Sequence, residues 1–211
     1  YCENMTKILT LTLGATILGA MLTGCDSRAK LAESVQGEWT GNPEMLLDTG
    51  AATASLVRML EFTAGTTDTE GTVTMTALIT VENTMQLNDS LVSPLQITSS
   101  GNATITGVYQ AKDDDDLTIS LDVTSMSVNV DPDGVQLNYN VVDGQSSPSV
   151  EKLRPGAVVL ATQQINRAAQ NVFSNITEIE DIHVKGSIMT CEINDKNLIF
   201  TKGGVPSSAT E

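Results

Sequence analysis

Few residues in this chain have the chemistry to act as a nucleophile, base or metal ligand. One histidine, His183, and three cysteines, Cys2, Cys25 and Cys191, are its nitrogen and sulfur donors. A structural zinc site needs about four such ligands at short, paired spacings, and these are scattered from one end of the chain to the other. A nucleophilic Cys–His pair from Cys191 and His183 would need both side chains on one face. The alternation of Ile182-His183-Val184 instead points the imidazole away from the apolar side. Four consecutive carboxylates, Asp113 to Asp116, offer oxygens of the kind calcium prefers, but a calcium loop spaces its ligands at intervals. The run also falls where a hairpin turn is expected, so it reads as a solvated turn. Asp131-Pro132-Asp133-Gly134 reads as a turn on the same grounds. No Gly-rich phosphate loop, Gly-x-Ser-x-Gly motif or placeable glycosidase acid pair is present. The residues therefore predict a protein that is not an enzyme, with no metal and no cofactor.

The one cysteine with a chemical context is Cys25. Met5 and Lys7 precede an apolar stretch, Ile8 to Leu22, that ends in Leu22-Thr23-Gly24-Cys25. At about 15 residues the stretch falls short of the about 20 needed to span a bilayer. This arrangement resembles the export signal and lipobox of bacterial lipoproteins. The resemblance implies that residues 5–24 are a signal peptide, that residues 1–4 are an upstream remnant, and that Cys25 becomes the acylated first residue of the mature chain. Each buried acyl methylene contributes about 0.8 kcal/mol, so two or three chains give a stable membrane anchor. Asp26 and then Ser27-Arg28-Ala29-Lys30 follow in place of an acidic export cluster. A position in the cell envelope is expected, on the outer membrane facing the periplasm, with surface display as the alternative. With Cys25 acylated, Cys191 has no disulfide partner in the mature domain.

The charge balance excludes other partners. Twenty-six acidic residues against eleven basic ones give a formal net charge of −15. Phosphate backbones would be repelled, so no nucleic acid is expected, and a polybasic membrane patch is equally excluded. A content of 40% hydrophobic and 18% charged residues points to a folded core.

Residues 25–35 read as anchor and tether, with Leu31, Ala32 and Val35 on one side of a short helix. Residues 42–55 read as a loop carrying an apolar pair, Leu46 and Leu47. From residue 56 the apolar positions recur at every second residue, the signature of half-buried strands. Thr72 to Val81, Ala103 to Tyr109, Ile119 to Val123 and Val135 to Val141 are the clearest series. The parity slips between Val123 and Met126, which predicts a β-bulge near Thr124-Ser125. Joints at Gly65 to Gly71, Asn88 to Ser90, Ser99 to Asn102, Lys112 to Asp116, Asp131 to Gly134 and Asn194 to Asn197 carry turn residues. Short joints make neighbouring strands antiparallel. An up-and-down β-barrel of about eight strands removes the open edges such a meander would leave. One segment, 149–175, has helical spacing at Val158, Ala161, Ile165, Ala168, Val172 and Ile176, with Pro155 placed in its first turn. It is expected on the outside or across one mouth of the barrel, followed by about two strands and a tail over 203–211.

Gly37-Glu38-Trp39 opens the first strand. With the meander that follows, it is similar to the Gly-x-Trp signature of the lipocalins, and the chain resembles the lipocalin-like lipoproteins of Bacteroidetes over residues 36–202. The resemblance implies that Trp39 closes one end of the barrel and that a late basic residue, Lys202 or Arg167, packs on it. It departs from the family in having strands after its long helix. Met75, Ile79, Ile105, Tyr109, Leu121, Leu137 and Tyr139 fall on the inward face and would line a cavity for a small apolar ligand, with Ala103 and Gly107 leaving room. The alternative is a filled barrel acting as an envelope protein-interaction module, an inhibitor or accessory subunit. Asp89-Ser90-Leu91 resembles the O-glycosylation motif of Bacteroidetes secreted proteins, which makes Ser90 a candidate acceptor.

Overall fold

In the computed structural model, which describes residues 26–86, 94–139 and 150–204, the alternating stretches become long antiparallel strands. In chain order they are β1 (Gly37–Gly41), β2 (Glu44–Asp48), β3 (Ala52–Ala64), β4 (Glu70–Met85), β5 (Leu95–Ala111), β6 (Leu117–Val130), β7 (Gln136–Asn138), β8 (Glu178–Lys185), β9 (Ile188–Ile193) and β10 (Lys196–Lys202). Among the described residues two helices accompany them, α1 (Ser27–Ser34) and α2 (Val150–Phe173). The order β1-β10-β9-β8-β6-β5-β4-β3 closes on itself because β1 pairs with both β10 and β3. The result is all-β, a barrel-like ring of eight antiparallel strands with one inserted helix. β2 continues alongside β3 beyond β1, and β7 lies beside β5.

The inward face follows from the period of two. Leu56, Leu60 and Phe62 of β3, Val73, Met75 and Ile79 of β4, and Ile105 and Tyr109 of β5 are all buried in one cluster. On the outer face of β4 and β5 threonines bond across the strands, as between Thr76 and Thr104 at 3.3 Å. The slip in β6 is a bulge: Thr104 pairs with Ser127 but Thr106 with Asp122. The Ser125 hydroxyl stands in for the missing ladder partner by accepting from the Thr106 amide at 2.9 Å. Met126, Val128 and Val130 thereby return to the inward side and pack on the core.

Several expectations need correction. Residues 42–55 are not a loop: they hold β2 and the start of β3. Ser99 to Asn102 is not a turn but the middle of the 17-residue β5. Gly101 belongs there because a Cβ would meet the Asn129 carbonyl at 2.8 Å and the Ile165 side chain at 3.1 Å. Three strands, not two, follow α2. Glu178 to Ile193 divides at a two-residue hairpin, where Gly186 takes φ +63° and Lys185 pairs with Ile188. Pro155 lies beyond the first turn of α2, as its sixth residue, where its missing N–H removes one helical hydrogen bond.

The helices close the two ends of the ring. Asp26 caps α1 by accepting from the Arg28 amide at 3.1 Å. Leu31, Ala32 and Val35 then enter the core, so the segment read as a tether is docked on the body. At the opposite end, Ile165, Ala169, Val172 and Phe173 of α2 join the same core, and Ala157 and Ala161 join a smaller one with Leu95, Ile97 and Val135. A reciprocal amide pair, Asn83 with Gln164 at 2.8 and 2.9 Å, pins α2 to β4.

Candidate functional site

At the end closed by α1, Trp39 is fully buried and its indole N–H donates to the Val35 carbonyl at 2.6 Å. The Lys202 ammonium lies 5.1 Å from the Trp39 ring centroid, within cation–π range. Of the two basic residues proposed for that place, Lys202 occupies it and Arg167 lies at the other end of the ring. Gly37 has φ +101°, and a Cβ there would sit 3.3 Å from the Lys202 side chain. Both the backbone conformation and the passage of the lysine over the indole thus favour glycine two residues before the tryptophan. Tyr109 meets Phe62 edge-on at 5.4 Å and hydrogen-bonds Gln36; burial pushes its phenol above the usual range.

The residues expected to line a cavity are placed differently from one another. Met75, Ile79, Ile105 and Tyr109 are at most 2% exposed and pack tightly together. Leu121 is half-buried against the same core, and it fills the space beside Gly107, where a Cβ would meet the Ser120 carbonyl at 2.4 Å. Gly107 therefore leaves no room. Leu137 and Tyr139 belong to the smaller cluster under the first half of α2, not to the ring interior. Cys25 and Ser90 lie outside the described residues.

The groups weighed for catalysis are held apart. His183 is exposed and pairs with Thr190, while its neighbour in β9, Cys191, points inward. Burial pushes the Cys191 thiol up to about 12, so it is no nucleophile at neutral pH. In the Asp113–Asp116 turn, carboxylate oxygens of Asp113, Asp115 and Asp116 lie within 4.8 Å of one another, a spacing at which oxygen ligands could hold a cation. Two of these carboxylates already do structural work. Asp113 accepts from the Asp115 and Asp116 amides. Asp116 accepts at 3.2 Å from the amide of Asp181, a bulge residue of β8 with φ +50°. That bond, with Lys112 reaching Glu178 at 3.4 Å, reinforces a seam where β6 and β8 share only two residue pairs. Burial and the neighbouring carboxylates raise the Asp115 carboxyl above its ordinary range.

A cleft of about 390 Å³ opens at the end of the ring roofed by α2, a size within the range of small-molecule sites. Its wall is apolar: Leu46, Leu47, Ala54, Val81, Ala168 and Val172. Local structure explains both leucines. A register shift between Met45 and Leu47 makes Leu46 an extra residue in β2, and such a bulge re-aims side chains. Both successive leucines therefore meet the cleft, which plain alternation would forbid. On α2, Gln164, Arg167, Ala168 and Asn171 share one face by their spacing of three and four. Asn194 and Lys196 come from the β9–β10 hairpin, whose Asn194 and Asp195 both have positive φ. At the base, Arg58 is buried and paired with Glu44, Nε to Oε1 at 2.7 Å.

Sequence reasoning missed this site. The visible signal was an apolar pair, Leu46-Leu47, in a stretch otherwise poor in large side chains. Fold and site together define an all-β ring with an inserted helix and a half-open amphipathic cleft at one rim. No family model matches the chain, and no curated protein matches it. Among the described residues, no helix is long and apolar enough to cross a membrane.

Proposed function

We propose that this is a non-catalytic cell-envelope lipoprotein, anchored through acylated Cys25, that binds a small apolar molecule in the cleft between β2, β3 and α2. The observation that carries the binding reading is a concave wall of aliphatic side chains, floored by buried Ala54, Val81 and Val172, in which Leu46, Leu47 and Ala168 stay partly open to solvent. An exposed apolar concavity is costly in water and gains free energy at about 25 cal/mol per Å² when a ligand covers it. The anchor rests on the Leu22-Thr23-Gly24-Cys25 pattern at the end of a short apolar stretch.

The test is an organic extract of protein purified from membranes, analysed by mass spectrometry beside an Ala168→Trp variant that fills the cleft. A molecule present in the first and lost from the second is expected. No molecule above background in either refutes the binding reading. Labelled palmitate incorporated by the native chain but not by Cys25→Ala is expected for the anchor; continued labelling of the variant refutes it. The packed interior favours a second reading, an envelope protein-interaction module. It predicts a reproducible partner in crosslinked membranes and an empty organic extract.

A further inference from the structure

We propose that the ligand of this cleft is a single-chain amphiphile whose head group is anionic, a carboxylate or a phosphate. The proposal rests on reading the cleft as a ligand site and adds what its rim would select. Arg58, Arg167 and Lys196 line the cleft, and among the described residues no acidic one does. In a chain with 26 acidic and 11 basic residues, a lining with three cations and no anion runs against the composition. The three cations are not equivalent. Arg58 is neutralised by Glu44, with a second contact from Nη2 to Oε2 at 3.5 Å, so the base of the cleft carries no net charge. Arg167 and Lys196 are exposed, and neither side chain has a hydrogen-bond or ion-pair partner among the described residues. Two cations with no counter-charge among the described residues thus stand on the rim, one from α2 and one from the β9–β10 hairpin, with the amides of Asn171 and Asn194 beside them.

This polarity fixes an orientation. An alkyl chain lies against Leu46, Leu47, Ala54, Val81 and Val172, and the head group stays at the rim, where water and two cations solvate it. The reverse orientation would bring an anion beside Glu44. The net charge of −15 repels anions at long range, but at about 0.15 M salt that repulsion is screened beyond about 8 Å. Contact with the rim cations therefore decides the selectivity.

The experiment is calorimetric titration of the native protein with four C12 probes below their micelle concentrations: dodecanoate, dodecyl phosphate, dodecanol and dodecyltrimethylammonium. At least one anionic probe is expected to bind about tenfold or more tighter than dodecanol, a difference a charge-assisted contact supplies, and which anion wins identifies the head group. The Arg167→Gln/Lys196→Gln double variant is expected to bind that anion no better than dodecanol. Both positions are exposed and without a partner among the described residues, so the melting temperature should stay within a degree or two, which separates lost recognition from lost folding. Anions and alcohol binding alike, or the cation binding as well as the anions, overturns the head-group assignment while leaving the apolar site intact. Binding of none of the four overturns the site itself.

Discussion

The Glu44–Arg58 pair provides a stability experiment with a defined magnitude. Arg58 projects from β3 toward the ring interior, and the two side chains are 8% and 12% exposed, with Nε to Oε1 at 2.7 Å. Removing one partner of a buried pair leaves the other charge desolvated and costs about 3–5 kcal/mol. The cleft lets some water reach Arg58, so Glu44→Leu should fall near the lower end, about 3 kcal/mol. In a domain of this size each kcal/mol moves Tm by about 2–4 °C, giving a drop of about 6–12 °C. Replacing both, Glu44→Leu with Arg58→Met, removes the stranded charge and should lose less than about 1 kcal/mol. The assay is urea unfolding followed by circular dichroism, with the m-value unchanged across the set so that the midpoint shift reports stability alone. A single variant that loses under about 1 kcal/mol, or a double variant as unstable as the worse single, would refute the claim that the pair is buried and coupled.

Three further outcomes follow from the packing. Cys191 should resist thiol reagents at pH 8 in the native protein and react fully in urea; because its thiol is raised from 9 to about 12, the unfolded chain ionises first, so stability should hold below pH 9 and fall as pH rises toward 12, less so in Cys191→Ala. Trp39, the sole tryptophan, should emit at short wavelength and escape acrylamide quenching; Lys202→Met should cost about 0.5–1 kcal/mol, the range for an exposed cation–π contact, without exposing the ring, and a red-shifted, quenchable native Trp39 would contradict its burial. Gly101→Ala should destabilise by about 1–3 kcal/mol, because its Cβ would meet the Asn129 carbonyl and Val130 of β6 as well as Ile165 of α2; wild-type stability would show that β5 is not packed closely against β6 and α2 there.

The ring was legible because its strands alternate almost without interruption: Val73, Met75, Ala77, Ile79 and Val81 all turn inward as period two requires. The β6 bulge was legible for the same reason, since it shifts the parity of apolar positions. Ser99 to Asn102 misled because serine, glycine and asparagine are turn formers by local preference. Here the local preference yields to strand pairing, with β4 along the whole segment and β6 beside Gly101 and Asn102. The hairpin at Gly186-Ser187 was hidden because a two-residue loop barely interrupts the apolar pattern. The cleft was least legible. Its residues come from β2, β3, β4, α2 and the β9–β10 hairpin, far apart in the chain, and a bulge that no parity count exposes turns Leu46 and Leu47 toward it.

The docking of α1 has a geometric consequence. Leu31 and Val35 hold this helix to the Trp39 end, and its cap, Asp26, is the residue next to Cys25. Were Cys25 acylated, only the peptide bond to Asp26 would lie in sequence between the modified residue and the cap of the docked helix. Along β3, Ala54 in the cleft and Phe62 beside the plug are eight residues apart, about 26 Å at about 3.3 Å per residue. Were the chain tethered in this way, the bilayer would lie beneath the plugged pole and the open rim would look outward into the aqueous compartment. Cargo would then reach it by three-dimensional diffusion or by hand-over from another molecule, and lipids moving sideways within the same leaflet would have no direct route in.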